Sequence, residues 1–259
     1  MNELGPKITE LLHELQPFAV LGSGTGKNAL ILTNYMVFLL LAIVLTVVFF
    51  FIVGRKEALV PKGIANIGEL GVDFVRNNIV LDVMGSEGVK FLPLIVTIFF
   101  AVLFNNIIGL IPGFKAGTGT LGTTFTWGII VFITYNAIGF KKYGFLGYLK
   151  SFLPSGTPWW LIWLIYPLEV ISHFLRPFTL GVRLYANIYA GHIVLGVFGI
   201  FVVLAVGAFG PVTGVIAGLS LVMQIIMYAF EVFVAFIQAY VFSILTAVYI
   251  AGALHAGEH

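Results

Sequence analysis

Two long uncharged runs at the end of this chain limit what it can fold into. No residue from Ile193 to Phe230 is charged, and none from Val232 to Leu254. Of all 259 residues, 60% are hydrophobic and 9% are charged, whereas soluble domains have about 25% charged residues. About 20 consecutive apolar residues suffice to cross a bilayer as a helix. The sequence therefore predicts an all-α polytopic membrane protein.

The apolar runs and the charges beside them predict a single membrane domain with about five crossings. Arg55 and Lys56 follow the first run, and Lys141 and Lys142 follow the third. The positive-inside rule places the ends of these two runs on the cytoplasmic side of a cell (inner) membrane. We therefore expect the N-terminus outside and the C-terminus in the cytoplasm. The predicted segments are an external segment at 1–28 (with an amphipathic helix within 3–20), span 1 at 29–53, a cytoplasmic-surface amphipathic helix at 57–83, span 2 at 91–111, span 3 at 125–140, an interfacial segment at 143–163, and long helices at 167–207 and 211–254.

The last two segments are too long to stand upright in a membrane. Each has about 40 residues, or about 60 Å as a helix, which is twice the thickness of the hydrocarbon core. Tilt is the usual way in which a long apolar helix fits a thinner bilayer. We therefore predict a hairpin of two long, strongly tilted, membrane-embedded helices.

Arg183 is the first candidate for function, because it lies in the most apolar part of the chain. A guanidinium has a pKa above about 12 and cannot become neutral there. Placing it near the bilayer centre costs about 2.5–3.5 kcal/mol, so it is expected to face a partner or water. At 100° per residue, Arg176 and Asn187 share its face, whereas His192 points the opposite way.

The second long helix carries a polar stripe, because Gln224, Glu231 and Gln238 repeat every seven residues. This stripe and His192 indicate a path for ions. Structural readings remain open: Glu231 could pair with Arg183 or His192, and the glutamines could bond neighbouring helices. Asn105 and Asn106 could be packing amides or part of the path. A second polar group could hold the inner part of a path or only anchor the helix at the interface; it comprises Glu169, Ser172, His173 and Arg176.

Composition excludes several kinds of chemistry. The chain has no cysteine, which excludes disulfides, thiolate catalysis and cysteine-ligated metals. The net charge of +2 does not suggest nucleic-acid binding, and no stretch resembles a phosphate-binding loop. The chain also lacks the serine–histidine and HExxH arrangements of intramembrane enzymes, so we expect no catalytic residue, no cofactor and no metal site.

Four stretches resemble subunit a of the F-type ATP synthase, the membrane stator that faces a rotating ring of c subunits. The most specific is LGVRLYANIYAGH at 180–192, and the others are NNIIGLIPG at 105–113, PLEVISHFLRP at 167–177 and AFIQAYVFSILTAVY at 235–249. The family commonly has Phe-Gly where this chain has Tyr185-Ala186. The resemblance implies a membrane stator without bond chemistry, in contact with the c ring, b-type peripheral-stalk subunits and the lipid bilayer.

The resemblance also implies roles for individual residues. Arg183 would meet the c-ring carboxylate and separate two aqueous half-channels, and the ion is expected to be a proton because His192 is a poor sodium ligand. The implied ion pathway comprises Asn187, His192, Glu231 and Gln238, and we add Asn105 and Asn106 to it as further candidates. The alternative, a stand-alone ion-coupled secondary transporter, would show two related halves, which the sequence lacks.

Overall fold

A computed structural model describes residues 4–21, 32–54, 63–153, 158–207 and 211–256. Its helices are α1 (Leu4–Glu14), α2 (Asn34–Gly54), α3 (Ile64–Val75), α4 (Asp82–Met84), α5 (Leu92–Leu110), α6 (Leu121–Lys150), α7 (Ile162–Gly207) and α8 (Pro211–Leu254). A π-helical turn (Arg76–Leu81) and three 3₁₀ turns (Gly85–Phe91, Gly117–Gly119 and Trp159–Leu161) complete the helical part. Two short antiparallel strands, β1 (Ala19–Leu21) and β2 (Leu32–Thr33), pair with each other.

The structure confirms the predicted fold class. Five helical stretches of the described residues are long and apolar enough to cross a membrane. The last two, α7 and α8, pack against each other along their length. With 46 residues, α7 is about 69 Å long, so an upright orientation would exceed the hydrocarbon core by more than twofold.

The segment predicted as a surface helix is continuous with the second span. Helical turns run from Ile64 to Leu110, and residues 57–62 lie outside the described part. Gly85, with φ 62°, marks a change of direction before α5. α3 buries Ala65, Gly68 and Val75. Two apolar residues of the same helix, Ile64 and Ile67, are more than half exposed on the surface of the chain.

Gly144 divides α6. Its φ of 70° and ψ of 167° are not helical, and glycine alone adopts such a conformation readily. The predicted span at 125–140 lies before this break, and the segment predicted as interfacial begins at it. The three tryptophans of that segment, Trp159, Trp160 and Trp163, are 85%, 58% and 75% exposed, as residues of an aromatic belt would be.

Two glycines let α6 approach α7 closely near Pro177, a proline inside α7. A Cβ at Gly128 would meet the Pro177 carbonyl oxygen at 2.5 Å, and one at Gly181 would meet the Thr124 carbonyl oxygen at 3.0 Å. Small residues permit this kind of backbone contact between membrane helices. The contact holds α7 two residues before Arg183.

The core forms where α8 packs against α5, α6 and α7. Its largest fully buried side chains include Tyr135, Phe99 and Phe242. Rings of α5 stack edge to face, as at Phe99 and Phe100, whose centroids are 5.3 Å apart. This packing sets the rotation of α8 about its axis, so that Gln224 and Glu231 of its polar stripe face α7.

The C-terminal end of α8 is held by two side chains that follow the third span. Lys142 Nζ donates to the Leu254 carbonyl at 2.6 Å, and the Tyr143 hydroxyl donates to the same oxygen at 2.7 Å. We expect Lys142→Met and Tyr143→Phe each to remove about 1 kcal/mol of local stability. Hydrogen exchange in the last turn of α8 should accelerate, whereas Lys141→Met, at an exposed neighbour, should leave it unchanged. Equal exchange in all three variants would contradict the assignment.

Candidate functional site

Glu231 lies directly against the backbone of α7. Its carboxylate occupies the place that a Cβ at Gly191 would take, so any larger residue there would have to displace the carboxylate. Both residues are buried, and Gly191 is followed by His192. The structure therefore brings the acid of α8 to the turn of α7 that carries the histidine.

Two further contacts fix the register of the α7–α8 pair. Gln224 Nε2 lies 3.5 Å from a Cβ placed at Gly199. At the other end, the Arg176 guanidinium lies over the ring of Tyr249, 5.5 Å from its centroid. The helices are thus antiparallel, and from Glu231 to Tyr249 of α8 the level on α7 falls from Gly191 to Arg176. By interpolation, Gln238 lies at the level of about residue 185, between Asn187 and Arg183.

Four of the six predicted pathway residues bury an amide nitrogen that has no hydrogen-bond partner among the described residues. They are Asn187, Gln238, Asn105 and Asn106. Buried polar atoms in proteins are nearly always bonded, either to protein or to ordered water. A water needs a polar, roomy site with two to four partners, and an amide nitrogen can be one of them. These nitrogens are candidates for a hydrated path.

The two asparagines of α5 have a structural task as well. The Asn105 Oδ1 accepts the Gly117 N–H at 2.9 Å, and the Asn106 Oδ1 accepts the Thr118 hydroxyl at 3.0 Å. These bonds agree with the packing reading left open by the sequence, and the path reading stays a prediction. The carbonyl oxygen of each amide holds the 3₁₀ turn, and the amide nitrogen is buried without a partner among the described residues.

Arg183 is exposed on the surface of this chain. Among the residues that the structure describes, none forms a hydrogen bond or an ion pair with it. Glu231 is buried at Gly191, two helical turns away, so the intramolecular Arg183–Glu231 pair does not form. A permanent cation on an apolar membrane helix needs a partner or water, and this chain leaves that place open.

The second polar group does not converge on one site. His173 is buried and its Nε2 lies 2.9 Å from the Asn136 Oδ1. Aromatic rings surround it, with Phe152 at 4.6 Å and Tyr135 at 5.1 Å between centroids. Ser172 is exposed, Glu169 is partly buried, and Arg176 covers Tyr249. His173 is thus a packed histidine with a polar partner, and the other three lie around it.

Among the buried polar residues that the structure describes, Ser243 and Asn136 are two that the sequence analysis did not single out. Ser243 buries its hydroxyl oxygen without a partner, and Asn136 bonds His173. Hydroxyls in membrane helices usually bond the carbonyl four residues back, as Thr246 does to Phe242 at 2.8 Å. The sequence does not distinguish Ser243 from that common case. An asparagine inside the predicted span 3 is the signal that could have pointed to Asn136.

Comparisons with known proteins point the same way as this geometry. The family model described as ATP synthase A chain matches residues 35–251. An ATP synthase subunit a from Acidiphilium cryptum is 41% identical over 234 residues, 90% of this chain and 92% of the relative. One from Hyphomonas neptunium is 39% identical over 248 residues, covering 96% and 97%. One from Rhodococcus erythropolis is 44% identical over 235 residues, covering 88% and 84%.

Proposed function

Because this chain belongs to the family of ATP synthase subunit a, the non-catalytic, proton-conducting stator of the Fo membrane sector, we propose that it carries protons along two half-channels separated by Arg183. Family membership decides against the stand-alone transporter. The observation that carries the proposal is the set of buried, unpartnered amide nitrogens at Asn187, Gln238, Asn105 and Asn106.

The outer half-channel would use the polar residues on the far side of Arg183 from Ser172. Glu231 abuts the backbone beside His192, so a carboxylate and an imidazole sit on adjacent helices at one level. Both groups can accept and release a proton. Asn187 and Gln238 lie between this level and Arg183. The amides would hold water that passes a proton toward the arginine.

Arg183 would act on a group from another chain. Because it is exposed and unpaired among the described residues, a carboxylate passing along this surface would meet an unneutralised cation. A nearby cation favours the charged form of a carboxylic acid and so promotes release of its proton. The same charge repels a proton that would otherwise leak straight from one half-channel to the other.

The inner half-channel would begin near the exposed Ser172, on the cytoplasmic side. This orientation rests on the basic residues after spans 1 and 3, which favour a cytoplasmic location. The N-terminus would then be outside and the C-terminus inside. Glu169 and Arg176 flank this position on α7, whereas the enclosed His173 would position the helix through Asn136.

As a subunit of an ATP synthase, the chain works with other subunits of that enzyme. We assign the Arg183 face of α7 to the ring of c subunits, which supplies the passing carboxylate, and the remaining polytopic surface to b-type subunits of the peripheral stalk and to lipid. The driving force would be the membrane potential, which supplies about 2.3 kcal/mol per charge per 100 mV.

The proposal predicts that the unpartnered amides matter for flux. We expect Asn187→Leu and Gln238→Leu to lower passive proton flux through the membrane sector by about tenfold or more, since each removes a site for water. Flux is measured in sealed vesicles with the soluble head stripped off. Asn78→Leu is the matched control, because Asn78 is exposed and bonds only the Phe74 carbonyl. Unchanged flux in Asn187→Leu and Gln238→Leu complexes that assemble normally would refute the hydrated path.

A further inference from the structure

The N-terminal helix α1 docks on the outer half of α7. A Cβ at Gly196 would meet the Leu11 side chain, with Cδ1 at 2.5 Å and Cγ at 3.1 Å. Leu11 thus fills a hole that exists because residue 196 has no side chain. The family match begins at residue 35, so α1 lies outside it.

Two hydrogen bonds fasten the segment that follows α1. The Tyr35 hydroxyl donates to the Leu15 carbonyl at 2.7 Å, and both residues are buried. The Phe18 N–H donates to the Asn34 Oδ1 at 3.3 Å. The helix is therefore held at one end by the start of α2 and in its middle by α7.

Docking leaves two hollows between α1 and α7. One, of about 390 Å³, lies between the charged side chains of α1 and residues 196–203 of α7. The other, of about 420 Å³, lies between the end of α1 and the stacked pair Tyr185–Tyr189, whose rings are 5.3 Å apart. At 100° per residue, Tyr185, Tyr189, His192 and Gly196 fall within about 60°. His192 therefore lies on the face that α1 covers, between the two hollows.

The first hollow has a charged wall on the α1 side and an apolar wall on the α7 side. α7 contributes only glycine and aliphatic residues there, whereas α1 contributes Lys7, Glu10 and Glu14. Charged side chains facing an apolar helix retain water, because removing that water is costly. An open hollow that retains water beside an apolar surface suits ions better than lipid.

From this geometry we infer that the cleft between α1 and α7 is the outer entrance of the proton path, and that α1 is its wall. The inference rests on the proposed function and names the approach to His192. Protons would enter past Glu10 and Glu14 and pass along the covered face of α7 to the level of Glu231. The Leu11–Gly196 contact keeps the cleft narrow.

Docking can be tested with cysteine pairs, since the chain has no native cysteine. In the assembled complex, Leu11→Cys with Gly196→Cys should crosslink under oxidation. Thr9→Cys with Gly196→Cys should not, because Thr9 is exposed and lies on another face of α1. Equal crosslinking of both pairs, or of neither, would overturn the docking.

Access can be tested with reagents of two sizes on a complex that carries His192→Cys. A small impermeant thiosulfonate should label position 192 from outside, and a bulky maleimide should label it slowly. Adding Gly196→Leu, which displaces Leu11, should speed the bulky reagent by about tenfold or more, since an undocked state of a docked helix is a minor one. Adding Leu11→Ala as well should restore slow labelling. If the bulky maleimide labels position 192 at the same rate with and without Gly196→Leu, α1 does not form a wall of the entrance.

Flux then separates this inference from the proposed function. Ile200 lines the cleft, and a reagent attached to Ile200→Cys should plug it and lower proton flux by about fivefold or more. The same reagent on Thr9→Cys should have no effect. Normal proton flux after full labelling of position 200 would show that the α1–α7 cleft is not the outer entrance. A loss of flux in Asn187→Leu would still support the proposed proton path.

Discussion

Replacing Arg183 with alanine should abolish ATP synthesis driven by a proton gradient while the complex still assembles. Assembly should persist because Arg183 is exposed and, among the described residues, bonds to none. Synthesis should fail because the passing carboxylate would no longer be driven to release its proton beside a fixed cation. The measurement is ATP synthesis in sealed vesicles, with assembly checked by copurification of the other subunits.

Two variants sharpen this test. Arg183→Lys should not restore full activity, since an ammonium is a compact point charge without the planar fork of a guanidinium. Arg76→Ala is the matched control, because Arg76 is also exposed but lies in the π-helical turn away from α7. Normal synthesis by Arg183→Ala would refute the role assigned to the arginine.

Replacing either Glu231 or His192 with alanine should slow proton transfer without opening a leak. Each group lies away from the Arg183 face, so Glu231→Ala and His192→Ala should leave the barrier at Arg183 in place. Loss of a positioned proton donor or acceptor typically costs at least about 100-fold. We therefore expect a fall of that order in passive flux through the stripped membrane sector.

The double exchange, His192→Glu with Glu231→His, should recover more flux than either single exchange. The acid and the imidazole would again lie at one level, although the acid would then come from α7. A structural pair would behave differently: single variants would lose assembly, and each assembled complex would conduct normally. That result would remove both residues from the path.

The sequence predicted those site residues that stand out because a charged or polar side chain interrupts an apolar run. A guanidinium or an amide in an apolar run is costly wherever the chain folds, so Arg183, Asn187 and Gln238 could be singled out without coordinates. The long hairpin likewise followed from the length of two uncharged runs. These inferences need only periodicity and the thickness of a bilayer.

What the sequence could not provide depends on contacts between distant segments. Gly191 looked like an ordinary small residue, yet the Glu231 carboxylate fills the space beside it. For His173 the sequence left a path role and an interfacial anchor open, and it gave no sign of the contacts with Phe152 and Asn136. The pairing of β1 with β2 involves two or three residues each, too few for an alternating pattern to be visible.

The central claim, that Arg183 divides two aqueous half-channels, is tested most directly by sided labelling of two single cysteines, Ser172→Cys and His192→Cys. Ser172 is exposed on α7 before Arg183, and His192 follows it on the opposite face. In vesicles of known orientation, a small impermeant thiol reagent added outside should label position 192 and spare position 172. The same reagent added inside should do the reverse. Labelling of both positions from one side would mean a continuous pore and would contradict the account.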